Sequence, residues 1–392
     1  MSHAELREST GTTPAGSRPH IVFVIYGLSM GGAESQLTSL LEAGAHYLAS
    51  HRVTLLTMAT TDDAALRQRL ARLDVTIDLV RRGGRSFPAF FVALVRWFRR
   101  ERPDIAHTLL AGTAGTWGRL AARLAGVPGV IHSELSLAPT RTIWQRSMEP
   151  LANRLTDRFF PNAHAIAERL VSEGVRRDRI RVIRNGVDLL RFSVTAEPVF
   201  RSVWGVAHGA VVAGYLGGLR PVKRPGLLLD AILALPESDR PQLVVFAGDG
   251  DLMPVLRARV QADPWLREHV QFMGLVIDTP GFLASIDYLV LPSDTEGLPN
   301  VIVEAMAVGV PCIATRVSDV PDLVTDNGFL VDPGDAVGLA EAMRSMHRLR
   351  AEERKALGLR GRERANEEFG LDRAAELFWA SHLELLSRVR HA

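Results

Sequence analysis

Cysteine and lysine are almost missing from this chain of 392 residues, which has one cysteine, Cys312, and two lysines, Lys223 and Lys355, against 44 arginines. A single cysteine excludes a disulfide framework and a cysteine-based metal site. Its setting, Pro311-Cys-Ile-Ala-Thr315, reads as a buried strand in which the thiol acts as a small apolar side chain. Long apolar runs are missing too, since none approaches the roughly 20 residues a helix needs to span a bilayer. Met1 to Pro19 has no charged start followed by an apolar core, so residues 1–19 read as a disordered tail rather than a secretory leader, and a cytosolic protein is expected. There is no His-Glu-x-x-His, no Gly-x-Gly-x-x-Gly and no Gly-Lys-Ser/Thr. Zinc-peptidase chemistry, the usual dinucleotide fingerprint and a Walker phosphate loop are therefore not indicated, and no metal site is expected.

What is present fits two domains of ordinary size. Hydrophobic residues make up 47% and charged residues 23%, a balance typical of globular chains. Charge is uneven: residues 1–192 hold 26 Lys+Arg against 17 Asp+Glu, and residues 193–392 hold 20 against 27. A nucleic acid, an anionic membrane surface or a phosphorylated acceptor would each suit the basic half, and scattered solvated arginine accounts for the count equally well.

Short apolar runs alternate with helical patterns along both halves. In the first, Ile21–Ile25, Arg52–Met58, Val75–Leu79, Ile105–Leu109, Val130–Ile131, Phe159–Phe160 and Ile180–Ile183 read as strands. Helical spacing occupies Glu34–Leu48, Ala64–Leu73, Phe90–Arg100, Thr113–Leu124 and Ala163–Glu173 between them. In the second, the strands are Val211–Leu216, Leu243–Ala247, Val270–Phe272, Tyr288–Leu291, Cys312–Ala314 and Phe329–Val331, and a helical pattern runs from Asp372 to the end. Repeated strand–helix–strand units predict an α/β protein of two doubly wound parallel sheets, with a linker at Leu189–Pro198. Phe87–Arg102 mixes Phe90, Leu94, Trp97 and Phe98 with arginines, and reads as core packing in preference to an interfacial membrane helix. Two such domains facing each other leave a cleft at the carboxyl ends of both sheets, where ligands bind.

The stretch from Ser293 to Pro311 is the most informative. It follows a strand, opens as a loop through Glu296, Gly297, Leu298, Pro299 and Asn300, and continues as a helix containing Glu304. One carboxylate in the loop and another about a turn into the helix can face a single crevice and accept hydrogen bonds from hydroxyls, while the helix start turns its amides toward an anion. Gly217-Gly218-Leu-Arg220-Pro-Val-Lys223 follows the first strand of the second half. A lysine kept in a Gly-rich loop, in a chain otherwise built on arginine, suits a point charge for a phosphate. Gly31 and Gly32 follow the first strand of the chain, where paired glycines let backbone approach a ligand. Gly248 and Gly274 stand in further strand-end loops, where a tight turn alone would also want glycine.

Together these blocks resemble the group 1 (family 4) retaining glycosyltransferases of the GT-B fold. The shared features are the Glu-x7-Glu spacing, the Glu-Gly-x-Pro-Asn core, the Glu-Ala-Met-Ala helix with Gly-x-Pro after it, Gly31-Gly-Ala-Glu34, and Asn185-Gly-Val-Asp188 at the domain junction. The resemblance runs from Ile21 to the last helix. It implies an acceptor domain over 20–192, a nucleotide-sugar donor domain over 193–370 and a helix over 371–392 that crosses back to the first domain. It implies retaining transfer of a sugar from a UDP- or GDP-linked donor to a hydroxyl of a saccharide or lipid-linked acceptor, in bacterial polysaccharide or glycolipid assembly. No cofactor, essential metal or nucleic-acid partner is implied, and peripheral contact with the inner face of an anionic membrane would run through the basic first domain. A sugar-nucleotide epimerase or hydrolase, a phosphorylase and a non-catalytic nucleotide-sugar binding protein are the alternatives.

The resemblance also distributes roles. Glu296 would hold the donor-sugar hydroxyls, Glu304 the ribose and Lys223 the diphosphate, helped by the backbone of Gly297 to Asn300. Gly31 and Gly32 would lie against phosphates and acceptor, and Gly248 and Gly274 beside the nucleotide. Two departures stand out. The family's arginine in Gly-Arg-Leu-x-x-x-Lys is Gly218 here, which makes Arg220 the candidate replacement. The family's acceptor-side histidine, six residues after a Val-Pro, falls on Glu134, with His132 two residues earlier. Residues two apart on a strand share a face, so both are expected to face the cleft. His107, which matches a family histidine near the cleft, is the third acceptor-side candidate, with packing at a strand end as the other reading.

Overall fold

The structure is a computed structural model that describes residues 18–28, 31–60, 63–137, 139, 141–192, 198–207 and 209–391. The expected N-terminal tail up to residue 17, and 193–197 of the expected linker, lie outside the described residues. The first sheet contains β1 (His20–Ile25), β2 (Arg52–Thr57), β3 (Val75–Leu79), β4 (Ile105–Leu109), β5 (Gly129–Ser133) and β6 (Arg158–Phe159), in the order β3-β2-β1-β4-β5-β6. The second contains β7 (Val212–Leu216), β8 (Leu243–Ala247), β9 (Val270–Gly274), β10 (Tyr288–Leu291), β11 (Cys312–Thr315) and β12 (Gly328–Val331), in the order β12-β11-β10-β7-β8-β9. All pairings are parallel. Counted within each sheet, both follow the doubly wound order 3-2-1-4-5-6, so each has one place where the winding reverses. In the first that place lies between β1 and β4, and in the second between β7 and β10.

Apolar strands buried on both faces explain why these runs are nearly continuous in Val, Ile, Leu and Phe. Ile21 to Val24 are fully buried, with Phe23 facing one layer of helices and Val22 and Val24 the other. The Phe87–Glu101 helix buries Phe90, Leu94, Val95, Trp97 and Phe98 against the first sheet, so its apolar stripe is core. Cys312 is buried within β11, and burial pushes its thiol up to about 12.

Three local expectations need correction. Ile180–Ile183 is not a strand, because β6 is two residues long and Pro161 has no N–H to extend the ladder; only an isolated bridge joins Phe159 to Ile180. The expected helix from Thr113 begins with a π-helical turn, Thr113–Trp117, before α-helix over Gly118–Leu124. A side-chain carbon at Gly115 would collide with the Leu110 carbonyl, so that turn requires glycine. A helix over Ile143–Arg154 was not anticipated, although its capping box is legible: Gln145 N donates to Thr142 Oγ1 at 3.3 Å and Thr142 N donates to Gln145 Oε1 at 2.8 Å.

The last helix, Leu371–His391, packs on the first sheet's layer. Phe378, Trp379, Leu385 and Leu386 join one core with Phe23, Leu41 and Ile105, and Trp379 Nε1 donates to the Leu40 carbonyl at 3.3 Å. The two chain crossings between the domains lie side by side, with Val187 N donating to Phe369 O at 2.8 Å and Leu371 N to Val187 O at 3.0 Å.

Candidate active site

The loops at the second sheet's reversal carry the sequence motifs. Glu296 lies between the end of β10 and the Asn300–Val308 helix, and Lys223 ends a short 3-10 turn, Pro221–Lys223, after β7. Lys223 Nζ is 2.6 Å from both Glu296 oxygens, and the carboxylate is 7% exposed. The two loops are fastened together, with Asp294 N donating to Val222 O at 2.9 Å and Arg224 Nε 3.1 Å from Asp294 Oδ1. Lysine and glutamate are thus delivered as one charge-neutral unit at the carboxyl edge of the sheet, where the winding reversal opens a crevice.

Glycine is required here by close approach. A side-chain carbon at Gly297 would lie 2.6 Å from the Leu135 carbonyl and 2.8 Å from Asn162 Oδ1, both on the first domain. Leu137 N donates to the Glu296 carbonyl at 3.3 Å, and Asn185 Nδ2 to the Leu298 carbonyl at 3.3 Å and to Asn300 Oδ1 at 2.5 Å. Gly32 faces the start of the same helix, with Asn300 Nδ2 3.7 Å from where its side chain would begin. Gly31 opens the Gly32–Ala43 helix as its N-cap residue. Gly218 is covered by the Arg220 side chain: a carbon added at Gly218 would lie 3.1 Å from Arg220 Nε. Arg220 itself is exposed.

Gly248 and Gly274 form the floor beneath this loop. Gly217 N donates to Ala247 O at 2.9 Å, and Gly248 N donates to Gly274 O at 2.7 Å. Gly248 has φ of 137° and a side chain there would collide with the Gly217 carbonyl; Gly274 has φ of 69°. Asp249 and Asp251 form an Asp-x-Asp pair on the same edge. Asp249 Oδ1 is occupied by Gly250 N at 2.7 Å, and no cluster of three or more His, Cys, Asp or Glu able to hold a metal occurs among the described residues.

Glu304 sits in the Asn300–Val308 helix, half-buried, facing a cavity of about 430 Å³ between the domains. Gln36, Asp63 and Arg69 line it from the first domain, Arg191 from the crossing, and Thr279 and Asn300 from the second. Burial pushes the Glu304 carboxyl up to about 7, against the pull of Arg191. Lys223 and Glu296 are not part of this cavity's lining.

The acceptor-side candidates are placed differently from expectation. His107 is fully buried in β4, with Nδ1 2.9 Å from His382 Nε2 on the last helix and Nε2 2.8 Å from Ser133 Oγ; it is a core residue and has no face on the cleft. His132 and Glu134 do share a face, their side chains approaching to 3.8 Å, but neither reaches solvent. Arg141 and Arg169 wall them off, at 2.7 Å and 3.4 Å from Glu134 Oε2. Burial alone would raise the Glu134 carboxyl, but the neighbouring His132 and these arginines hold it below its ordinary value. Arg119, fully buried, pairs with Glu149 and donates to Asn153 Oδ1 at 2.8 Å, extending the network behind β5. This network was missed because a lone arginine in a helical run carries no sign of being buried. Asp319 was missed as well: its carboxylate accepts from His164 N at 2.6 Å and Ala165 N at 2.9 Å, capping a first-domain helix from the second domain.

Two doubly wound sheets of one strand order, facing across a cleft and joined by a returning C-terminal helix, are the GT-B architecture. The solved structure of Anabaena Alr3699/HepE in complex with UDP and glucose shares this fold, with a TM-score of 0.79 at 22% identity over 93% of this chain and all of that one. Residues 30–191 match Glycosyltransferase Family 4, and residues 210–348 match Glycosyl transferases group 1. The chain is 31% identical to the Escherichia coli UDP-Gal:alpha-D-GlcNAc-diphosphoundecaprenol alpha-1,3-galactosyltransferase, over 64% of this chain and 68% of that protein. It is 33% identical to the lipopolysaccharide core biosynthesis glycosyltransferase LpsE of Rhizobium meliloti, over 62% of this chain and 66% of that protein. The chain belongs to the group 1 (family 4) glycosyltransferases and is a glycosyltransferase. Among the described residues, no helix is long and apolar enough to cross a membrane.

Proposed function

We propose that the protein transfers a hexose from a UDP-linked donor, with retention, to a hydroxyl of a lipid-diphosphate-linked saccharide at the inner face of a membrane. The observation that carries this reading is the Lys223–Glu296 unit at the sheet reversal, 2.6 Å apart and facing the first domain. Without ligand each group satisfies the other. A diphosphate draws Lys223 away, and Glu296 is then free to accept hydrogen bonds from sugar hydroxyls. Arg220, lying over Gly218, supplies the second cation on the diphosphate. Glu304, one turn into the helix, accepts from the ribose hydroxyls in the adjoining cavity.

In the reaction the bond from the anomeric carbon to the diphosphate oxygen breaks, the nucleoside diphosphate leaves with the electron pair, and the acceptor oxygen bonds to that carbon and gives up its proton. The protein's part is positioning and neutralisation of leaving-group charge by Lys223, Arg220 and the amides of the helix start. A UDP donor is supported by the UDP named with the Anabaena structure and in the name of the Escherichia coli relative, and a lipid-diphosphate acceptor by the latter.

The test is thermal stabilisation by UDP, GDP, ADP and CDP with a chelator present, followed by UDP release from UDP-hexoses with and without undecaprenyl-diphosphate-linked sugar. UDP alone should raise the unfolding temperature, by roughly 2.7 kcal/mol of stability at a hundredfold excess over its dissociation constant, and UDP release should need the acceptor. Release without acceptor would identify a hydrolase. Arg220→Ala should raise the donor KM about tenfold, the effect of one charge-assisted contact; unchanged donor turnover would remove Arg220 from the site.

A further inference from the structure

Ile143 and Trp144, at the start of the Ile143–Arg154 helix, are 80% and 76% exposed. The helix is held in place by its capping box and by its inward face, Gln145, Glu149, Ala152 and Asn153, so these apolar side chains are presented by an anchored element. Leu151, two turns along the same face, is exposed as well. Beyond the Thr113–Trp117 turn lies a second exposed apolar group, Phe87, whose ring is 4.6 Å from that of Trp117. The two segments are tied to that turn from either side: Arg82 Nη1 donates to Thr113 Oγ1 at 2.9 Å, and Thr116 Oγ1 donates to Glu149 Oε2 at 2.7 Å.

The charge around this rim has one sign. Residues 81–100 contain six arginines and no Asp or Glu, and residues 141–154 contain three arginines and one carboxylate, Glu149, which is buried against Arg119. Arg81, Arg85, Arg146 and Arg154 are exposed and have no ion-pair partner among the described residues. The rim lies on the cleft side of the first domain, because residues 81–87 follow the carboxyl end of β3 and the Ile143–Arg154 helix follows that of β5. Indole and aliphatic tips within a field of guanidinium groups match the boundary of a bilayer bearing anionic headgroups, where the rings sit at the headgroup level and the cations meet lipid phosphates.

We infer that Ile143, Trp144 and Phe87, with Arg85 and Arg146, form the surface by which this protein docks on an anionic lipid bilayer. The inference rests on the lipid-linked-acceptor reading above and adds a place to it. Docking on this rim brings the carboxyl edge of the first sheet to the headgroup level, so a lipid-borne sugar enters the cleft from the membrane side while the nucleotide enters from water.

The experiment is flotation of the full chain with phosphatidylcholine vesicles, with and without phosphatidylglycerol, at low and high salt. The wild type should float with the anionic vesicles, stay behind with the neutral ones and be released by salt. The double variant Ile143→Glu/Trp144→Glu should lose about tenfold or more in partitioning, and Arg85→Ala/Arg146→Ala a smaller factor that vanishes at high salt. An unchanged unfolding temperature shows that both variants fold. A wild type that stays behind with anionic vesicles, or a double variant that floats like the wild type, would overturn the inference. So would light scattering that shows this surface to pair two copies of the chain, with the double variant monomeric. Turnover of a short-chain, water-soluble acceptor separates the two readings: a wild type that does not float but turns over that acceptor removes the docking surface alone, and a wild type that floats without any UDP release removes the transferase reading alone.

Discussion

The two halves of the molecule share one strand order and place their ionic groups in opposite ways. Behind the carboxyl edge of the first sheet, Arg119, Glu149, Glu134, Arg141 and Arg169 form an enclosed network that no ligand reaches without displacing an arginine. At the equivalent edge of the second sheet, Lys223 and Glu296 pair at the cleft, and Glu304 lines an open cavity. The same winding brings loops to the same edge in both. What differs is whether a helix start and a neighbouring loop cover the charges. Residue type alone does not separate the enclosed ion pairs from the one at the cleft; the difference is how much of the charge is left for a ligand to claim.

The sharpest way to break this comparison is on the structural side. Arg119→Met leaves Glu149 buried beside only Arg141, and a broken buried pair of this kind costs about 3–5 kcal/mol. The urea midpoint should fall steeply, and nucleotide binding by the fraction still folded should be normal. On the functional side, Glu296→Ala should lower turnover at least about a hundredfold, the loss of one transition-state contact, with little change in unfolding temperature. Full activity in that variant would sink the assigned roles.

A third test reads the seam between the first sheet and the returning helix. Burial holds the His382 imidazole down at about 4, and His107 also lies well below its ordinary value, through burial and the neighbouring His382. A depressed histidine binds fewer protons folded than unfolded, so the stability it lends is present above the unfolded value of about 6.5 and is lost as pH falls toward 4. About 2 kcal/mol should go between pH 7.5 and 5 from His382 alone. His382→Leu should flatten that slope in pH-dependent unfolding, and an unchanged slope would show the seam to be silent. The smallest effect is expected at Glu304. Its carboxyl, raised to about 7, lends stability below about 4.5 that is lost as pH rises through 7. An ionised acceptor for hydroxyls should in turn make UDP bind about tenfold tighter at pH 8 than at pH 6. Glu304→Gln should remove that difference, measured by calorimetry.

Much of this was legible before any coordinates. Twelve expected strands coincide with β1 to β12 to within a residue or two, because a buried parallel strand is a continuous apolar run bounded by turn residues. The two loops containing Lys223 and Glu296 were legible for a different reason: their glycines, prolines and isolated lysine are chemically unusual in this chain. Short-range pattern failed where distant groups decide. His107 looks the same in sequence whether it lines a cleft or bonds to His382, which lies 275 residues away. Ile180–Ile183 has strand composition, but its neighbour is too short to pair with it.

By itself, then, the sequence determined the two sheets, the class of enzyme and the loops that hold its charged groups, since each is written in local periodicity or in residues close along the chain. Tertiary structure alone decided which charges are spent on one another and which remain open. It enclosed Glu134 behind two arginines, set Lys223 on Glu296 from 73 residues away, and laid Arg220 over Gly218. It also left Ile143 and Trp144 outside the fold on one basic rim. Burial and pairing depend on what packs alongside a residue, and the chain brings those neighbours from far along its length.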